Sequence, residues 1–404
     1  MMKKLIAPLA VAVSVLLWES NVDVRIGKKD TKEEMLTAGR ISTLKSDGIK
    51  EGLQEECLKF LEEPKVEWPN DYLKSRTEKA LRPKNKPVFY NTWMNAVVVD
   101  ALLKDGKEQK YLPRVKHFLD GFIKSDGTIT ENISSLEHCV LGSSLLKLEQ
   151  SGDQKNYGVL ADSMADYLLN KHVRTSTGTL PYFGKTTTNL VLVDSLGMIC
   201  PFLTEYGIRR SNPKAIELAG RQLEEYLSKG MDENLNMPYH AYDLEKKRHL
   251  GMVGWTRGMG WLLVGMVDSL KALREAGQDN PLLATKIPLL LGTTFSEQRQ
   301  NGLFGWELVN PYCDIDTSGS AMILYSLERA MQMNLVSGDY VSKAEKLMMG
   351  LMENTTVEFE VINSLADCQG IGHFPRVFGH FSYGQAFATS AYIEYNKRVS
   401  SSKP

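Results

Sequence analysis

Twelve segments of this chain carry apolar residues at recurring three- and four-residue spacings, and little else in it is patterned. That spacing is the period of an α-helix with one buried face. Val97, Val98, Ala101 and Leu102 form one such stripe, and Leu141, Leu145, Leu146 and Leu148 another. The pattern predicts helices near 50–62, 91–104, 111–123, 137–150, 156–171, 189–206, 213–229, 257–276, 281–296, 317–334, 338–353 and 383–397, separated by breaks rich in Gly, Pro, Asn and Asp. Alternating, strand-like stretches are few. GLFGWELV at 302–309 reads as part of a hairpin inside a connection, and no strand–helix alternation of the parallel-sheet kind is present.

Twelve helices fit either an open superhelix of helix pairs or a closed ring of six hairpins. An open superhelix repeats at a constant period. Here the spacings vary, which points to an all-α chain folded as an (α/α)6 barrel of six helical hairpins. No Pro/Ser-rich linker divides it, so residues 29–404 read as a single domain. The long connections at 172–188, 230–256, 297–316 and 354–382 supply the loops from which such a ring builds a site.

The first 28 residues differ in character. Lys3 and Lys4 precede an apolar run from Leu5 to Trp18, too short for a membrane span and suited to the core of an export signal or an amino-terminal anchor. The expected location is secreted or periplasmic, with no other integral membrane segment. The net charge of −1 removes any general attraction to nucleic acid. The five cysteines are scattered and contain no C-x-x-C pair, which argues against a zinc ribbon, a redox motif or a disulfide scaffold.

Chemistry is concentrated at a few places. Asp194 lies in NLVLVDSLGMICPFL, an otherwise apolar run. A carboxyl group there must be satisfied or functional, and burial favours its protonated form, which suits a general acid. Glu137 opens a predicted helix, where an acid complements the helix dipole, and it shares with Asp194 a place near a helix start. YHAYD at 239–243 places His240 and Asp243 between two tyrosines. GWTRGMGW at 254–261 sets Arg257 between Trp255 and Trp261 among three glycines. Flat rings stack on sugar faces, and a guanidinium fork matches a carboxylate. Asp316 is a candidate helix cap before TSGSAM. No H-E-x-x-H, P-loop, dinucleotide fingerprint or nucleophile elbow is present, so neither a metal nor a cofactor is expected. Acids, aromatics and one arginine at helix starts form a carbohydrate-active set.

Taken together, YHAYD…GWTRGMGWLLVGMVDSL, LVDSLGMICPFLTEYG, SLEHCVLGSSLLKL and DTSGSAMILYSLERA resemble, in order, segments of the unsaturated rhamnogalacturonyl hydrolases of glycoside hydrolase family 105, relatives of the unsaturated glucuronyl hydrolases of family 88. The resemblance runs over roughly residues 88–395. It implies an (α/α)6 barrel and an oligosaccharide substrate made by a polysaccharide lyase, ending in a 4,5-unsaturated uronic acid of the pectin or rhamnogalacturonan type. Such enzymes hydrate the C4=C5 enol ether, so the carboxylate-spacing rule of ordinary glycosidases does not apply. On this sequence the resemblance makes Asp194 the proton donor and Glu137 the second acid. His240, Arg257, Trp255 and Trp261 become pocket residues, with Trp93 and Asn95 of YNTWMNAV as an earlier pocket segment. The chain departs from the family pattern at Phe183, where a histidine is common, and at Leu192, where a tryptophan is common. Those departures leave the sugar open. Two other readings also stand at this level. One is another (α/α)6 sugar enzyme, a glycosidase or an epimerase. The other is a non-catalytic glycan- or protein-binding member in which Asp194 and Glu137 are structural.

Overall fold

A computed structural model describes residues 24–25, 35–36, 46–62, 93–104, 110–124, 132–150, 157–184 and 189–401. The apolar run at 5–18 lies outside these residues. Among the described residues there are twelve helices, α1 Ser46–Glu62, α2 Trp93–Leu102, α3 Leu112–Asp120, α4 Gly142–Glu149, α5 Tyr157–Asp166, α6 Asp194–Arg209, α7 Pro213–Lys229, α8 Thr256–Glu275, α9 Pro281–Ser296, α10 Thr317–Gln332, α11 Asp339–Glu353 and α12 Ser382–Ser401. A 3-10 turn, Glu137–Leu141, leads into α4, and a π-helical turn, Tyr167–Lys171, ends α5.

The even-numbered helices close a ring. α2 packs on the turn before α4, then α4 on α6, α6 on α8, α8 on α10, α10 on α12, and α12 returns to α2. The odd-numbered helices pack outside them, so the chain is an (α/α)6 barrel. Composition decides which ring a helix joins. α7 buries only Ala215, Leu218, Ala219, Gln222, Leu223 and Tyr226, a single stripe at helical spacing, and leaves the rest to solvent. α10 buries every residue from Thr317 to Glu328, because its polar positions are small Ser, Thr and Gly that neighbouring helices can cover, save Glu328, which Arg398 pairs at 2.8 Å. The main apolar cluster fills the space between the rings and runs from Ile49 to Tyr392. Among the described residues no helix is long and apolar enough to cross a membrane. All five cysteines are free thiols.

Two connections hold sheet where the sequence suggests helix or loop. The expected helix at 189–206 begins only at Asp194, and its first residues form strand β2, Leu190–Leu192. β2 pairs antiparallel with β4, Met237–Asp243, in the register Leu190↔Asp243 and Leu192↔Ala241. A three-residue apolar run is too short to show which period it follows. The 230–256 connection is a hairpin of β4 and β5, Arg248–Val253, with the short strand β3, Met231–Asp232, on the other edge of β4. Asp243 shapes its turn by accepting from the backbone of Glu245 and Lys246. Conversely, 302–309 forms no hairpin and makes only isolated bridges, Gly305 to Ile315 and Glu307 to Trp255. A second sheet joins β1, Val24–Arg25, to β7, Val377–Gly379, and β7 to β6, Ser364–Leu365.

The carboxyl ends of the inner helices meet at one end of the ring around a cavity of about 200 Å³. Six helix ends present partial negative charge there, and Lys104, Lys147 and Arg329 answer it. Asp100 bonds both lysines, and Tyr325 donates to Asp268 at 2.8 Å. Glu394, 1% exposed, lies 3.5 Å from Arg329 and 3.0 Å from Lys397. Burial pushes this carboxyl up, but Arg329, Lys397, the Gln332 bond and Lys104 outweigh it and hold it down at about 2. A carboxyl whose folded value lies below its unfolded value stabilises the fold above the unfolded value and loses that contribution as pH falls. Between about pH 5 and pH 2 the native state should therefore lose on the order of 3 kcal/mol through this group. Glu394→Gln should flatten that fall in urea unfolding across the acid range. An unchanged acid slope would show that the cluster contributes nothing.

Candidate active site

The amino-terminal ends of the inner helices gather at the opposite end of the ring. Trp93 opens α2, Glu137 the turn before α4, Asp194 α6, Arg257 the first turn of α8, Thr317 α10 and Ser382 α12. Converging amino-terminal ends carry partial positive charge, so this mouth suits an anionic ligand.

Asp194 is 5% exposed and lies with its Oδ2 3.2 Å from His240 Nε2. The two come from different elements that the backbone ties together, since Val193 donates to the carbonyl of His240 at 2.9 Å. His240 is 1% exposed. The β4–β5 register shifts between Tyr239 and Ala241, so an irregularity falls at the histidine, a device that re-aims a side chain. Tyr239 turns away to stack on His249 at 4.2 Å. Opposite His240, Gly251 has φ +77°, and a Cβ there would sit 2.8 Å from that of His240, so only glycine fits.

Glu137 accepts a 2.6 Å hydrogen bond from Tyr182. Burial and the nearby charges of Glu137, Asp194 and Asp367 push the Tyr182 phenol well above its ordinary range. Glu137 and Asp194 thus share one electrostatic environment with a third acid that carries no sequence signature. Asp367 follows β6. Desolvation by the surrounding chain, together with Asp194 and Glu137, pushes its carboxyl up to about 7 against the opposing pull of Arg257. Its neighbour Cys368 is also in the group: one ligand atom each from Asp194, His240 and Cys368 lie within 4.8 Å of one another. No periodicity or motif in SLADCQG marks either residue.

Of the other expected pocket residues, Trp255 lies beside the acids, whereas Arg257 and Trp261 sit differently from the sequence reading. Arg257 is 1% exposed, between the rings of Trp255 and Tyr383 at 5.0 and 4.9 Å. Its guanidinium already donates to the carbonyls of Leu365 at 2.7 Å and Ala366 at 2.9 Å and to Ser318 Oγ at 3.2 Å, and lies 3.7 Å from Asp367. The fork expected to meet a substrate carboxylate instead holds the segment bearing Asp367 and Cys368. Trp261 was expected in the sugar pocket. It lies about one turn into α8, edge to face with Trp93 at 5.5 Å, and lines the cavity at the far end of the ring. The glycines of GWTRGMGW have separate local roles: Gly254 takes φ +73° before the helix, a Cβ on Gly258 would lie 2.9 Å from the Trp255 ring, and one on Gly260 would lie 2.7 Å from Met322 Cβ. Trp255 packs against His240 at 4.9 Å and Phe374 at 5.0 Å, so it is next to the acids. Asn95 is half-buried on α2. Phe183 is 39% exposed, edge to face with Tyr182, whereas Leu192 is buried with Leu190 and Ala241.

Asp316 caps α10. It accepts from the N–H groups of Ser318 at 2.9 Å and Gly319 at 3.2 Å and, across to β6, from Leu365 at 2.9 Å. Asp316→Ala removes a cap and orphans buried donors, so stability should fall by about 3 kcal/mol. A shift of the urea midpoint worth less than about 1 kcal/mol would contradict this.

Paired helical rings with buried acids at the amino-terminal mouth define an (α/α)6 barrel with a candidate site, and comparison with known proteins gives its family. The sequence profile of glycosyl hydrolase family 88 matches residues 67–399. The chain belongs to that family and is a glycoside hydrolase. A protein of Agrobacterium fabrum and the 24.9 kDa protein in the picA locus of Rhizobium radiobacter are each 30% identical over 193 residues, 44% of this chain and 81% of theirs. Among solved structures, a possible family 105 member from Klebsiella pneumoniae superposes with TM-score 0.73 at 18% identity, over 91% of this chain and 96% of that one. An unsaturated glucuronyl hydrolase responsible for glycosaminoglycan degradation in Bacillus sp. GL1 superposes with TM-score 0.63 at 15% identity, over 87% and 97%. These likenesses bear on the fold.

Proposed function

We propose that this protein removes a 4,5-unsaturated uronic acid from the non-reducing end of lyase-generated oligosaccharides by hydrating the C4=C5 bond. The observation that carries the reading is a set of buried polar atoms that make no hydrogen bond, His240 Nδ1, Trp255 Nε1, and Asp194 Oδ2 and His240 Nε2, which face each other at 3.2 Å. Buried polar groups are almost always satisfied, so a cluster of orphans asks for a polar ligand. The helix amino-terminal ends favour one with a carboxylate.

In this reading Asp194 gives its proton to C4, and the positive charge at C5 is shared with the ring oxygen. Water adds at C5 and returns a proton to Asp194. The hemiketal opens as the bond from C5 to the ring oxygen breaks, leaving a ketone at C5. The hemiacetal left at C1 then expels the next sugar as an alcohol. Glu137, held by Tyr182, faces the same carbons and keeps the water oriented. His240 positions the Asp194 carboxyl. The neighbouring sugar in this reading is a neutral one of the rhamnogalacturonan type, for which Phe183 offers an exposed apolar ring beside Tyr182. The amino-terminal apolar run supports export to where lyases release such fragments.

Unsaturated disaccharides from rhamnogalacturonan and from glycosaminoglycans separate these claims. The expected result is loss of the ultraviolet absorbance of the conjugated bond, fastest with the rhamnogalacturonan product. Loss confined to glycosaminoglycan products would overturn the proposed sugar, and loss with neither would overturn the reaction.

A further inference from the structure

Asp194, His240 and Cys368 bring a carboxylate, an imidazole and a thiol together from three separate elements: the start of α6, the middle of β4 and the segment after β6. Each is held from behind. Val193 bonds the His240 carbonyl, and Arg257 bonds the carbonyls of Leu365 and Ala366 just before Cys368. Asp194 Oδ2 and both nitrogens of His240 are buried and make no hydrogen bond, with Oδ2 and Nε2 facing each other at 3.2 Å. We propose that these three residues form a zinc-binding site, and that its occupation withdraws Asp194 from catalysis.

The donor set selects the ion. Thiolate and imidazole suit zinc and not calcium or magnesium, which take oxygen ligands. In tetrahedral zinc sites the metal lies about 2.0–2.3 Å from each ligand, which puts ligand atoms roughly 3.5 Å apart. The Asp194–His240 separation of 3.2 Å already meets that, and the 4.8 Å limit on the whole set leaves only side-chain rotation to close it. Three protein ligands leave a fourth position for water. On binding, the Cys368 thiol releases its proton to solvent as the sulfur–zinc bond forms, and Asp194, held by the cation as a carboxylate, carries no proton to give to a sugar carbon. The binding stands on geometry alone, while the inhibition rests on the role proposed for Asp194.

The full chain, stripped of metal with a chelator, is titrated with Zn²⁺ against a chromophoric competitor and separately with Co²⁺. One equivalent should bind, and Co²⁺ should give the near-ultraviolet charge-transfer band of a cobalt–thiolate bond. Cys368→Ser and Cys368→Ala should each abolish that band. They should weaken zinc by at least roughly 100-fold, because even loss of an outer-shell partner of a metal ligand costs 10–100-fold. Zinc should slow turnover of the unmodified chain, and the concentration required should rise by the same factor in the variants, each measured against its own zinc-free rate. Absence of saturable binding, or binding that both variants leave intact, would overturn the proposal. If no unsaturated oligosaccharide is turned over, the proposed reaction fails, and the cobalt band still decides the metal site.

Discussion

Asp194→Asn should lower turnover of an unsaturated oligosaccharide by about 10³-fold or more while the protein remains folded. The amide keeps the shape of the carboxyl group and cannot deliver a proton to carbon. The residue begins α6, so the amide forgoes the interaction that the ionised form makes with the helix dipole, worth under about 1 kcal/mol. It also relieves the cost of a carboxylate 5% exposed beside His240, which acts in the opposite direction. Melting should therefore move little, and activity should nearly vanish. Retained turnover in a folded variant would remove Asp194 from the mechanism and leave its burial as a structural fact.

The second large effect belongs to Arg257. Arg257→Met should destabilise the chain by about 3–5 kcal/mol, the usual consequence of removing one partner from a buried charged network. The variant loses three hydrogen bonds to Ser318, Leu365 and Ala366 and leaves Asp367 without its nearest cation. Arg257→Lys should recover little, since an ammonium cannot reach two carbonyls and a hydroxyl as a planar fork does. Urea unfolding separates this account from the one suggested by sequence. An arginine that merely gripped the substrate carboxylate would raise KM and leave the unfolding midpoint in place. A large loss of stability in both variants is the result expected here.

The ring was legible because its two kinds of helix are written differently. Outer helices such as α7 show one apolar stripe, while inner ones such as α10 pair apolar residues with small polar ones and read as buried all round. Asp194 was legible for a related reason, as one charge in an apolar run. What stayed hidden depends on contacts distant in sequence. The strand Leu190–Leu192 takes its form from β4, some fifty residues later. Asp367 and Cys368 reach the mouth because Arg257, 108 residues before Leu365, bonds the segment that carries them. Spacing within a segment cannot report a bond of that range. The same limit explains the reading of Arg257: two flanking tryptophans suggest a ligand fork, and only the fold shows that its two terminal nitrogens already bond Ser318, Leu365 and Ala366.

Hydration of a double bond, as opposed to displacement at the glycosidic carbon, is the central claim, and the fate of one hydrogen tests it. An unsaturated disaccharide is incubated with the protein in deuterium oxide and followed by proton NMR. The account predicts loss of the olefinic H4 signal, one deuterium at C4 of the released keto acid, and release of the second sugar at the same rate. Release of the second sugar with the olefinic signal intact and no deuterium at C4 would mean ordinary glycoside cleavage, and would contradict the role assigned to Asp194.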